Sequence, residues 1–124
     1  MLAFIQKLLG GGEGPASLDP ASAHERLRRR ELVLIDVRTA DEWRSGVAKG
    51  AKTITLGDPC MVDTVFSLVK EDTGKPVAVI CRSGMRSARA ARTLMAAGFS
   101  NVSNIKGGMM AWTSAGLPTQ GYKG

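Results

Sequence analysis

The chain is poor in the residues that build metal and redox centres: two cysteines and one histidine in 124 residues, with no Cys-x-x-Cys pair. Zinc and iron–sulfur ligation are left without a ligand set, so neither metal nor cofactor is expected. Two thiols make no disulfide framework, and there is neither a leading basic region nor an Ala-x-Ala cleavage site. The expected setting is a reducing cytoplasm. No apolar run approaches the roughly 18 residues that a membrane span needs. Aromatics make up only 5%, too few for base-stacking platforms, so the formal charge of +6 does not imply a nucleic-acid partner. Nothing in the composition marks a second domain, and 44% hydrophobic content suits one globular core.

What is present divides into a short leader and a domain. Met1 to Leu9 is apolar but interrupted by Gln6 and Lys7, and Gly10 to Gly14 reads as a flexible joint. Residues 1–14 are therefore taken as an N-terminal segment and linker, and residues 15–124 as the domain. Leu2, Ile5, Leu8 and Leu9 would share one side of a short amphipathic helix; a frayed end is the plainer alternative.

Within the domain, Leu32–Asp36, Thr53–Leu56, Val77–Cys81 and Val102–Ile105 have the short, β-branched, apolar character of strands, with a weaker first strand near Ser17 and Leu18. Asp19-Pro20 supplies an N-cap and first-turn pair for a helix running to about Arg30. Further helices are predicted over 41–45, 63–70, 86–97 and 108–115, the one over 86–97 stopped by Gly98. Alternation of this kind predicts an α/β fold: a mainly parallel central sheet of about five strands with helices on both faces. Sites in such sheets form beyond the carboxyl ends of the strands.

Cys81 lies at such an end. Val77–Cys81 runs into Arg82-Ser83-Gly84-Met85-Arg86-Ser87 and then into Ala-rich helical sequence, so the order is strand, tight loop, helix. Backbone N–H groups and the positive end of a helix dipole then converge on the cysteine. Arg82 and Arg86 add positive charge, and the thiol is expected to be held largely as its thiolate. A small apolar residue packed in the core is the alternative for a cysteine ending a strand. Two arginines within five residues speak against it, because charge seldom crowds a structural cysteine.

Three blocks, in order, give the chain a family likeness. They are Asp36-Val37-Arg38 with Glu42-Trp43, Gly46 and Gly50-Ala51; Cys81 to Arg86; and Ile105-Lys106-Gly107-Gly108 with Trp112. On these the chain resembles a single rhodanese domain, the fold of thiosulfate and other persulfide-forming sulfurtransferases, across about residues 16 to 118. One departure is Gly46-Val47-Ala48, where that family usually has a histidine after the glycine, so local packing there should differ.

The resemblance implies a sulfurtransferase carrying a sulfane sulfur on Cys81 from a small anionic donor such as thiosulfate to cyanide or a thiol acceptor. Amides of Arg82 to Arg86 would cradle the transferred sulfur, Arg82 and Arg86 would hold the donor's oxyanion, and Ser83 and Ser87 offer hydroxyl donors. Asp36, Arg38 and Glu42 are expected in structural support, with an Arg38–Glu42 ion pair fixing the loop. His24 is expected exposed, and Trp43, Phe99 and Trp112 in or near the core. Cys60, on the same carboxyl edge as Cys81, is a candidate resolving thiol, with simple packing as the plainer alternative.

Two rival readings are a cysteine phosphatase or arsenate reductase and a non-catalytic or sulfur-relay rhodanese-like module. Tyrosine phosphatases space cysteine and arginine as C-x5-R, whereas Cys81 and Arg86 stand as C-x4-R. A smaller ring suits one sulfur better than a tetrahedral oxyanion. Retention of the cysteine with both arginines speaks against a purely docking role.

Overall fold

The computed structural model describes residues 14–123, so the expectation for Met1 to Leu9 and most of the glycine joint lie outside the described residues. The chain runs β1 (Ala16–Leu18), α1 (Pro20–Arg28), β2 (Val33–Asp36), α2 (Ala40–Trp43), β3 (Val47–Ala48) and β4 (Lys52–Thr53). It continues through α3 (Met61–Leu68), β5 (Val77–Ile80), α4 (Met85–Ala96), β6 (Val102–Ile105), α5 (Gly108–Ser114) and β7 (Thr119–Gln120).

Five strands form one parallel sheet in the order β1-β6-β5-β2-β4. Central β5 is Val-Ala-Val-Ile, buried at every position, as a strand covered on both faces must be. Its side chains divide by parity. Val77, Val79 and Cys81 join Ile35, Val37, Met61 and Val65 of α3, and Ala90 and Leu94 of α4. Ala78 and Ile80 face the other layer, with Leu34, Ala23 of α1, and Met109 and Trp112 of α5. A period of two along β5 thus aims Cys81 at the face that α4 covers.

Boundaries differ from the sequence reading by one to three residues, chiefly where caps decide them. Asp19 caps α1 by accepting from the Ser22 amide at 3.0 Å. The strand expected over 53–56 is shorter and earlier, at Lys52–Thr53. Beyond it the amides of Ile54 and Leu56 still bond to the carbonyls of Asp36 and Val37, along an irregular path. A second, antiparallel pair, Val47↔Gln120 and Ala48↔Thr119, was not legible, because two-residue strands carry no periodicity. It falls where the histidine of the family pattern is missing, and both Val47 and Ala48 are buried.

His24 is half-buried, contrary to the expectation of exposure. Position 24 follows Ala23, the buried contact of α1, and turns its ring edge-on to Trp112 at 6.0 Å between centroids. Trp43, Phe99 and Trp112 are buried.

Candidate active site

The loop between β5 and α4 closes around one sulfur. Gly84, the N-cap of α4, sits in the left-handed region at φ 115°, which an L side chain rarely adopts, and so lets the chain curl back over Cys81. Its amide then donates to Cys81 Sγ at 3.0 Å, and Ser87 Oγ stands 3.3 Å from the same atom. Burial pushes the Cys81 thiol up, but the Ser87 hydroxyl and the amides of Ser87, Gly84 and Ser83 pull it down. The balance lies below its ordinary value, although the residue is only 1% exposed.

The loop is held from behind by the glycine pair. In the first turn of α5, the amides of Met109 and Met110 donate to the carbonyls of Cys81 and Arg82 at 2.8 and 3.1 Å. Gly108 permits this approach: a Cβ there would stand 2.5 Å from both carbonyl oxygens. From β6, Asn104 donates to the Gly84 carbonyl at 2.9 Å and accepts from Ser87 Oγ at 2.5 Å. Sequence reasoning missed Asn104 altogether, since a lone Asn inside a strand run carries no motif.

The support residues pair differently from the expectation. Arg38 does not form an ion pair with Glu42; it reaches only that residue's carbonyl. Its guanidinium instead takes Asp36 through Nε and Nη2 at 3.0 and 2.8 Å, and also the Gly46 carbonyl. Asp36 ends β2 fully buried, and a charge so placed demands a bidentate partner; Trp43 Nε1 completes its set at 3.1 Å. Glu42 closes a capping box with Thr39 and spends its carboxylate on Arg86, at 2.6 and 2.8 Å.

The second arginine of the loop is therefore already engaged. Arg86 leans across to α2, where it remains a source of positive potential beside Sγ, rather than standing free for an oxyanion. Arg82 is exposed, meets no carboxylate among the described residues, and borders a cavity of about 310 Å³ with Arg38, Glu42, Met109 and Met110. Ser83 is exposed and contributes its amide, and Met85 is 81% exposed at the start of α4. Cys60 is exposed at the N-cap of α3, its amide bonded to Asp58 at 2.8 Å, while its neighbour Met61 packs in the cluster that holds Cys81. Both sulfurs are free thiols.

A cysteine sulfur held by loop amides at the carboxyl edge of a parallel sheet agrees with comparison to known proteins. The family model for the rhodanese-like domain matches residues 19–115. The chain belongs to the rhodanese-like domain family. Among relatives, this rhodanese-like chain is 33% identical to thiosulfate sulfurtransferase 18 of Arabidopsis thaliana over 117 residues, covering 86% of this chain and 84% of the plant protein. It is 31% identical over 98 residues to a tRNA uridine(34) hydroxylase of Acinetobacter baylyi, covering 77% of this chain but 31% of that enzyme. Its fold matches the thiosulfate sulfurtransferase of Pseudomonas aeruginosa with a TM-score of 0.77 at 26% identity, over 88% of this chain and 21% of that one. Among the described residues, no helix is long and apolar enough to cross a membrane.

Proposed function

We propose that this sulfurtransferase-family domain moves a sulfane sulfur from a small anionic donor of the thiosulfate type to a thiol or cyanide, through a persulfide on Cys81. The observation that carries this reading is the convergence of loop amides and the Ser87 hydroxyl on Cys81 Sγ at the carboxyl edge of the sheet.

In the first half-reaction the thiolate attacks the outer sulfur of thiosulfate. A bond forms between Sγ and that sulfur, the bond to the sulfonate breaks, and its electron pair leaves with sulfite. The negative charge now sits on the outer sulfur, next to the amides gathered at Sγ, and donors already fixed beside a developing charge need little reorganisation. Arg82, the free cation at the mouth, holds the sulfonate through charge-assisted bonds. In the second half-reaction an acceptor thiolate, or cyanide, attacks the outer sulfur and Sγ departs as the thiolate. No proton need be taken from the nucleophile, which accords with a site that has no histidine at Cys81.

The test is intact mass spectrometry after incubation with thiosulfate and removal of excess donor. A gain of one sulfur on Cys81, lost again on addition of cyanide, is the expected result. Cys81→Ser should take up no sulfur and release no thiocyanate while melting as the parent does. Unmodified parent protein, or turnover surviving in Cys81→Ser, would overturn the proposal.

A further inference from the structure

Ser87 Oγ lies between two acceptors with one proton to give. Sγ of Cys81 is 3.3 Å away and Oδ1 of Asn104 is 2.5 Å away. The orientation of Asn104 is set independently, because its Nδ2–H donates to the Gly84 carbonyl at 2.9 Å and so leaves the oxygen facing Ser87. The hydroxyl is buried on the first turn of α4, so no solvent water supplies a second donor.

We propose that the Ser87 hydroxyl is a two-position proton donor, turned to Sγ when Cys81 is a free thiolate and to Oδ1 of Asn104 when Sγ carries the transferred sulfur, with Asn104 setting the balance. The second position rests on the persulfide reading above; the first needs only a thiolate. A thiolate draws the proton, since hydrogen bonds to a charged acceptor are the stronger ones. In the persulfide the charge moves to the outer sulfur and Sγ, now in an S–S bond, becomes a poor acceptor, so the proton turns back to Asn104. When the acceptor's thiolate attacks the outer sulfur, that S–S bond breaks and its electron pair returns to Sγ. Rotation about the Cβ–Oγ bond of Ser87 then brings the proton to the departing sulfur. Asn104 is thus a positioning residue acting through Ser87. The charged groups around Sγ are Arg82, Arg86 on α4, Glu42 on α2, Asp36 at the end of β2 and Arg38 just beyond it; none hydrogen-bonds to Ser87 or Asn104 among the described residues.

The sign of one substitution decides the matter. Asn104→Leu keeps the branching and volume but cannot accept, which frees the Ser87 proton for Sγ. On sulfur-free protein, iodoacetamide alkylation of Cys81, followed from pH 5 to 9, should become roughly three- to tenfold faster at the acid end, as the worth of one hydrogen bond implies. The gain should vanish in a Ser87→Ala background, where no hydroxyl remains to be released. Asn104→Asp, a stronger acceptor of similar shape, should slow alkylation more in the presence of the Ser87 hydroxyl than in its absence, and carries the test if the leucine variant fails to fold. Slower or unchanged alkylation in Asn104→Leu, or effects of either variant indifferent to Ser87, would overturn the proposal. Because the readout uses no sulfur donor, it stands or falls separately from the sulfurtransferase reading.

Discussion

Glu42 and Arg86, 44 positions apart, form a two-pronged ion pair that ties α2 to the first turn of α4 beside the reactive sulfur. Arg86 holds the Glu42 carboxyl far down, from 4.5 to about 2, and burial opposes this only in part. A carboxylate whose folded value lies below its unfolded one contributes stability above the unfolded value and loses it as pH falls through the folded one. Glu42→Gln should therefore cost about 1 to 2 kcal/mol at pH 7, a figure discounted for partial exposure. The difference between parent and variant should close between about pH 4.5 and pH 2, where the parent's own carboxyl becomes neutral. Urea titrations across that range check this; a gap that stays constant would show that the pair adds nothing through its charge.

The same pair separates the roles of the two loop arginines. Arg82→Leu should raise KM for thiosulfate by roughly tenfold with a smaller change in kcat, because a charged donor to the bound anion is worth about 1.5 to 3 kcal/mol. Arg86→Leu should also lower kcat/KM, but by stranding the Glu42 carboxylate next to an anionic donor. Restoring most of that loss by adding Glu42→Gln is the expected outcome of the double variant. Identical KM effects at both arginines, with no recovery, would mean that Arg86 binds the donor directly.

Asp36→Asn tests the buried pair at the end of β2. The aspartate is fully buried and receives the Arg38 guanidinium, the Arg38 amide and the Trp43 indole. Removing its charge leaves Arg38, 6% exposed, without an ionic partner. Breaking such a pair from one side costs about 3 to 5 kcal/mol, well beyond the exposed Arg28–Glu25 pair of α1. Chemical denaturation of Asp36→Asn and Glu25→Gln side by side should rank them in that order.

How much of this could be read beforehand follows from the range over which each feature is encoded. Val77–Ile80 and the helix after Gly84 are local patterns, and parity along β5 is enough to send Cys81 toward α4. The Asp36, Arg38 and Glu42 block was legible as a motif, but its pairing was not. Spacing of four suggested Arg38 with Glu42, whereas the partners were decided by burial of Asp36 at a strand end and by α4 arriving from 44 residues away. Asn104 was invisible for the same reason, since its two partners, Gly84 and Ser87, meet it only when β6 is laid beside β5. The β3 and β7 pair joins two-residue strands far apart in the chain and depends on nothing local.

Gly108→Ala gives the most severe prediction for a single methyl group. Gly108 sits at φ 57°, a region costly for an L side chain, and a Cβ would come 2.5 Å from the carbonyl oxygens of both Cys81 and Arg82. Neither atom is the mobile end of a side chain, so relief requires moving α5 or the loop itself. Moving α5 breaks the bonds from the Met109 and Met110 amides, which fix those same carbonyls; moving the loop displaces the Gly84 amide from Sγ. Either way the substitution should cost about 2 kcal/mol or more of stability, the sum of strained backbone and overpacking. It should also slow Cys81 alkylation at neutral pH, because the amides that favour the thiolate lose their aim. Gly98→Ala is the control: it shares a positive φ, at 104°, but has nothing within 4 Å of the added carbon, so it should lower the melting temperature without touching the reactivity of Cys81. Equal alkylation rates in the parent and both variants would show that the Gly108 contact shapes the fold and leaves the sulfur indifferent.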